Sequence, residues 1–248
     1  MNNIIVFFPL GAGGNFVRNL ITLDTRYEFL DDSEFYKDYP TTLSRYVFLQ
    51  DYYSRAVDSG TWLEREWSTR TALHQRYFEN NNIAYWNPRA RVVYLIHGDG
   101  IEMQSILEDR RLSNFDKSSI ALGNDSEAIT ETGLKSCTHV FITPSDIDLI
   151  TQIYISKNAK LNQFAGNVAA AYEHNRLLQA TLDEYRAACP IHINIESESL
   201  FRSADTLCKL MSLLDVQVPT EMIRKLHSLW LQSTKQLYYN TYIETLPL

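Results

Sequence analysis

The sequence predicts an α/β fold with a mainly parallel central sheet of about five strands. Three observations predict it. Short apolar runs recur along the chain, helical patterns separate them, and a glycine cluster joins the first run to the first helix. The runs are Ile4–Phe8, Arg91–Ile96, Ser119–Leu122, His139–Thr143 and Ile191–Ile195. Strands buried on both faces of a parallel sheet read as continuous apolar segments of this length. Strand and helix in alternation point to such a sheet.

The helices follow in order. The first begins near Asn15 and runs to about Thr22. The second is "TTLSRYVFLQDYYSRAV", with Thr41 or Thr42 as its cap. The third is "TWLEREWSTRTALHQRYF", with Trp62, Trp67 and Leu73 toward the core. "SDIDLITQIYISK" opens with Ser145 and Asp146 after Pro144, a helix-start signature. "FAGNVAAAYEHNRLLQATLDEYRAA" is the longest helical pattern, and Pro190 then restarts the chain as a strand. Two further helices, broken at "DVQVP", fill the span from about Ser203 to Tyr239. No repeat, linker or low-complexity tract divides residues 1–248, so one domain is expected.

Composition narrows the function classes. Hydrophobic residues make up 45% of the 248, enough for a sizeable core. The net charge of -7 argues against a general nucleic-acid or anionic-membrane binder, which needs basic surface. Cys137, Cys189 and Cys208 are odd in number and widely spaced, which suggests neither a disulfide framework nor a zinc site. A cytoplasmic location is expected, and no metal. No apolar run approaches the roughly 20 residues that cross a bilayer.

The stretch "VFFPLGAGGNFVR" carries the chemistry. Strand, glycine-rich turn and helix together make an anion site, because first-turn N–H groups lack intrahelical partners and the helix dipole adds positive charge. Gly11, Gly13 and Gly14 allow close approach of a phosphate, Asn15 adds a side-chain donor, and Arg18 lies one turn into the helix. G-x-x-x-x-G-K-[ST] fails because Asn15 and Phe16 stand where Lys and a hydroxyl residue belong; G-x-G-x-x-G fails at Phe16. A plain tight turn is the alternative.

Pro9-Leu10-Gly11-Ala12-Gly13-Gly14-Asn15-Phe16 resembles the 5′-phosphosulfate loop of the sulfotransferase family. "HVFITPSDIDLITQIYISKNAKL" is similar to the second signature of that family, which binds the 3′-phosphate of the donor, 3′-phosphoadenosine 5′-phosphosulfate (PAPS). "HINIESESLFRSADTLCKLMSLLDVQVPTEMIRKLH" resembles its late segment. The resemblance implies a three-layer α/β/α sandwich of the P-loop NTPase type. It implies PAPS as co-substrate, held by Gly11, Ala12, Gly13, Gly14, Asn15 and Phe16, with the 3′-phosphate against Thr143, Ser145 and Lys235. The chain departs from the family at Leu10, where the loop Lys belongs, and at Ile142, near the second-signature Arg.

His97 ends the strand "VVYLIH", and this fold class places ligands beyond the carboxyl ends of strands. The resemblance implies that His97 is the base that deprotonates an acceptor hydroxyl, a task its ring suits near neutral pH. Arg18 would share the catalytic work, and Asp99 would orient the ring or bind a positive acceptor. A backbone-bonded structural His is the alternative. Glu196 and Glu198 follow the fifth strand and read either as acid–base or metal carboxylates or, preferentially, as a helix-cap region. The expected activity is sulfuryl transfer from PAPS to a small-molecule or glycan hydroxyl. Two alternatives stand beside it: an inactive fold with a structural or interaction role, as in a viral assembly, and a nucleotide kinase-like protein.

Overall fold

The computed structural model describes residues 4–29, 38–59, 91–96, 138–157, 167–188 and 191–238. In chain order the described elements are β1 (Ile4–Phe7), α1 (Gly14–Ile21), β2 (Tyr27–Phe29), α2 (Thr42–Ser59), β3 (Arg91–Ile96), β4 (Thr138–Thr143), α3 (Ile147–Lys157), α4 (Val168–Ala188), β5 (Ile193–Glu196), α5 (Ser197–Arg202), α6 (Ala204–Leu213) and α7 (Thr220–Tyr238). The chain is therefore α/β with a parallel sheet. The expected strand at Ser119–Leu122 and the helix over 61–78 lie outside the described residues.

The described strands pair in the order β2-β3-β1-β4-β5, every pair parallel. β1 is central, with Val6 opposite Leu95 on one side and Val140 on the other. That position explains its unbroken apolar run, since all four of its residues are buried. β5 lies at an edge, and there only Ile195 is buried. It starts two residues later than expected, because Ile191 is exposed. The sequence predicts no strand at Tyr27–Phe29, yet this segment forms β2 and pairs with β3 at Arg91–Val93.

From β1 the chain passes through α1 to β2, beyond β3; from β4 it passes through α3 and α4 to β5 on the opposite side. The two connections leave neighbouring strands in opposite directions. Such a divergence opens a crevice outside the carboxyl ends of the strands, the usual ligand position of open α/β sheets.

Local signals set the helix ends. Thr41 caps α2 in a reciprocal arrangement: its Oγ1 accepts from the Ser44 N–H (3.1 Å) and its own N–H donates to Ser44 Oγ (3.0 Å). Ser203 Oγ accepts from the Asp205 N–H at the start of α6. α6 closes with the N–H of Val216 on the Met211 carbonyl (2.8 Å) and that of Asp215 on Ser212 (3.2 Å), Asp215 being left-handed at φ 54°. That is the physical content of the "LDVQVP" turn.

The core joins both ends of the sequence. Phe8, Phe16 and Leu20 meet Ile150 from α3, Leu200 from α5 and Trp230 from α7 in one buried cluster. The Phe16 and Trp230 rings stack at 4.3 Å, nearly parallel. Among the described residues, no helix is long and apolar enough to cross a membrane.

Candidate functional site

The site begins where β1 ends. Phe8 to Gly13 form a turn whose first half is fixed by a residue far along the chain. The Leu10 N–H donates to Asn175 Oδ1 (2.9 Å), and Asn175 Nδ2 donates to the Leu10 carbonyl (3.1 Å) and to Thr151 Oγ1 (2.8 Å). Asn175 and Thr151 are both fully buried. Ala12 spends both of its backbone groups within the protein: its N–H donates to the Pro9 carbonyl, and its carbonyl accepts from Ser197 Oγ (3.2 Å).

Gly11 (φ 92°) lies so close to α3 that a β-carbon there would sit 2.5 Å from the Ile150 carbonyl oxygen. Gly13 is the N-cap of α1 and is left-handed (φ 90°, ψ 8°). A left-handed residue followed by a helical one turns three successive N–H groups, here those of Gly13, Gly14 and Asn15, toward one point, an anion-binding nest. Among the described residues, none of these three N–H groups has a hydrogen-bond partner. α1 also has no acidic residue in its first turn and no side-chain cap. Backbone donors and dipole are thus both uncompensated at this end.

Phe16, expected in the binding loop, is a core residue: its ring stacks on Trp230 and its N–H donates to the Gly13 carbonyl. Arg18, expected at the anion, is buried at 3% exposure, and its guanidinium donates from Nε (3.1 Å) and an Nη (2.8 Å) to Asn19 Oδ1. Asn19 in turn donates to the Tyr53 hydroxyl of α2 (2.9 Å). Burial, with the neighbouring Tyr52, pushes the Tyr53 hydroxyl far up, so it stays protonated.

The β4 end adjoins the glycine turn, because β4 pairs with β1. Thr143 Oγ1 donates to Asn194 Oδ1 (3.1 Å), which also accepts from Arg186 (3.3 Å). Ser145 is exposed. Its N–H and that of Asp146 donate to the carboxylate of Glu198 at 3.0–3.1 Å. Glu198, from α5, is 4% exposed, while Glu196 is exposed. Neither carboxylate caps the start of α5: Glu196, its N-cap residue, makes no side-chain capping bond, and Glu198 reaches across the fold to the two residues before α3. Lys235 lies in α7. His97 and Asp99 lie outside the described residues. Among the described residues, no group of three or more His, Cys, Asp or Glu is placed to hold a metal ion.

Three residues that shape the site, Asn175, Ser197 and Trp230, were not among the sequence candidates. Asn175 had a legible signal. It interrupts the buried stripe Ala171, Leu178, Leu182 of α4 at helical spacing, and a polar residue on an apolar stripe needs an internal partner.

The crevice thus presents one bare helix N-terminus, with a nest of three amides, beside a second that is already capped. The bare end leaves backbone donors open to an anion, while the N–H groups of Ser145 and Asp146 before α3 are taken by Glu198. Comparison with protein-family models, curated proteins and solved structures returns no match for this chain.

Proposed function

We propose that this chain binds the 5′-anionic end of a sulfuryl donor of the PAPS class at the glycine turn and transfers the sulfuryl group to an acceptor hydroxyl. One observation carries the reading: the Gly13, Gly14 and Asn15 N–H groups converge, unpartnered among the described residues, at the carboxyl end of the central strand. Those amides hold the phosphosulfate and stabilise charge on the leaving phosphate, as preorganised backbone donors do in phosphoryl transfer. His97 takes the proton of the acceptor hydroxyl, which attacks sulfur in line. The strand order, with β1 between β3 and β4 and its glycine turn at the crevice, supports a P-loop-type three-layer arrangement.

Calorimetry with 3′-phosphoadenosine 5′-phosphate tests the reading. Asn15→Pro deletes one nest amide in the first helical turn, where proline is tolerated. Saturable binding that weakens about tenfold in this variant supports the reading, a change worth roughly 1.4 kcal/mol. No binding to the parent overturns it.

A second reading is favoured by Arg18 and Leu10. The arginine is tied to Asn19 on the α1–α2 contact, and Leu10 brings no charge to the turn. On that reading the fold serves as a structural or interaction protein and binds no nucleotide. Binding of ATP with Mg²⁺ in place of the phosphoadenosine would instead favour the kinase-like alternative.

A further inference from the structure

We infer that His227 is a proton-operated latch on the glycine turn: its neutral ring seats α5 and Trp230 beneath Gly13, and a second proton unseats them while the sheet stays folded. The inference concerns the turn itself and does not depend on what the turn binds.

Four side chains from three helices meet under Gly13. A β-carbon placed on Gly13 would lie 3.4 Å from the Trp230 ring and 3.7 Å from Leu200 Cδ1, so these two line the turn. Phe16 stacks on Trp230 at 4.3 Å. His227 completes the set from one turn earlier on α7. Its Nε2 bonds the Leu200 carbonyl at 2.7 Å, and its ring lies 6.0 Å from that of Trp230 and 6.4 Å from that of Phe16. A carbonyl can only accept, so Nε2 carries the proton and Nδ1 is the site for a second one. Of the four residues, His227 alone can change its charge near neutral pH.

A proton on Nδ1 leaves the Nε2–H bond in place. It puts a full charge on a ring that is 6% exposed. Among the described residues, no carboxylate bonds that ring. α1 faces it with Phe16, α5 with the Leu200 carbonyl and α7 with Trp230. The titratable groups that α2, α3 and α6 bring to the surrounding helices are Tyr46, Tyr53, Tyr154 and Cys208. Burial raises the pKa of each and keeps it neutral. Glu198 of α5 is turned to Ser145 and Asp146, and Arg18 of α1 to Asn19. Glu221, Arg224 and Lys225 on α7 are exposed. Aromatic rings attract a cation that sits over their face within about 6 Å. At these separations, with tilts of 43° and 41°, Trp230 and Phe16 offset little. Burial therefore decides, and it lowers the His227 pKa below 6.5.

The response is local because α5 is fastened in two separate places. It has six residues and no side-chain cap. Its first turn is held by Ser197 on the Ala12 carbonyl and by Glu198 on Ser145 and Asp146. Its last turn is held by the bond from His227 to Leu200 and by the Phe201 ring, 4.9 Å from Trp230. A charged His227 that turns out to water releases the second set and leaves the first. The last turn of α5, Trp230 and Gly13 then loosen, while β1 stays paired with β3 and β4. The open form takes up the proton first, so it gains on the closed form as pH falls from 6.5 toward the folded value.

The test is amide hydrogen exchange of the full chain by NMR at pH 7.5 and 5.5, without urea and in about 1 M urea, corrected for intrinsic rates. The N–H groups of Phe16 and Val17 bond the Gly13 carbonyl, and that of Ser203 bonds Ser199, so these three report the latch. Val6 of β1 reports the sheet. From the higher pH to the lower, opening at the three amides rises about tenfold, as uptake of one proton requires. That opening does not respond to urea, whereas exchange at Val6 proceeds by urea-dependent unfolding. His227→Gln keeps an N–H for Leu200, cannot titrate, and abolishes the rise. No rise in the parent overturns the inference. So does a rise that persists in His227→Gln, or one with the urea dependence of Val6, which would make protonation a global effect. Should the variant not fold, the ring resonance of His227 in the parent decides. A ring that takes up its proton while the three amides keep their protection overturns the latch.

Discussion

The carboxamide of Asn175 holds both backbone polar groups of Leu10, accepting from its N–H at 2.9 Å and donating to its carbonyl at 3.1 Å. It acts as a detached piece of backbone, pairing with the turn much as a neighbouring strand would. All of these groups are buried, so none can turn to water instead. Asn175→Ala leaves the Leu10 amide unpaired and costs about 2–4 kcal/mol. Urea unfolding checks the loss. The same variant, measured at a temperature where it remains folded, binds adenosine 5′-phosphate more weakly than the parent, because the turn that carries the nest is no longer pinned.

Arg45 is a second buried hub, on the far side of α1. Its guanidinium donates to the carbonyls of Thr22 (2.8 Å), Tyr27 (3.1 Å) and Tyr39 (3.0 Å), with the Glu28 carboxylate at 3.9 Å. These bonds tie the end of α1 and the start of β2 to α2. A lysine reaches with one ammonium and cannot span three carbonyls from a planar fork. Arg45→Met strands the Glu28 carboxylate and the carbonyls and costs about 3–5 kcal/mol. Arg45→Lys recovers only part. Chemical denaturation of the two variants beside the parent reads both values.

Asp215 is the one described non-glycine residue with positive φ, at 54°. Its turn is held from below: Asp24 accepts from the Gln217 N–H (2.7 Å) and pairs with Arg26 (2.6 Å), which also lies 3.6 Å from Asp215. Asp215→Ala meets the left-handed strain without a short polar side chain and loses about 1 kcal/mol. Asp215→Gly removes the strain and equals or exceeds the parent within about 0.5 kcal/mol. Thermal melts of the pair order them Gly above Ala.

His227 sets one pH dependence. Its Nε2 bonds the Leu200 carbonyl at 2.7 Å, and the ring packs beside Phe16 and Trp230. Burial lowers its pKa below 6.5, and the bond to Leu200 only partly restores it. The unfolded chain therefore takes up the proton first, and stability falls as pH drops from about 6.5 toward the folded value. Asp24 acts lower down. Burial alone would raise its pKa, but Arg26 and the Gln217 N–H outweigh it and hold the carboxyl below 3.8. Its contribution is complete above that value and is lost as pH falls through the folded pKa. Urea titrations at pH 7.5 and 5.5 show a drop in the parent that His227→Gln reduces.

What was legible in the sequence follows from what is local. β1, β3 and β4 carry their own apolar runs, and α2, α6 and α7 carry caps or stops within a few residues of their ends. β2 carries no such pattern. It is three residues long and exists as a strand through its pairing with β3. α5 is six residues and begins where β5 stops, leaving no room for a periodic stripe. The site divides the same way. The glycines marked the nest because positive φ is written into residue type. The reach of Glu198 to Ser145, 53 positions away, and of Asn175 to Leu10, 165 away, is written only in the fold.

The central claim is that an anion binds the Gly13–Asn15 amides and leaves the start of α3 untouched. Amide resonances followed by NMR during titration with adenosine 5′-phosphate test it directly. The account predicts saturable shifts at Gly13, Gly14 and Asn15, with Ser145 and Asp146 unmoved. Shifts centred on Ser145 and Asp146, or none at the three nest amides, would contradict it.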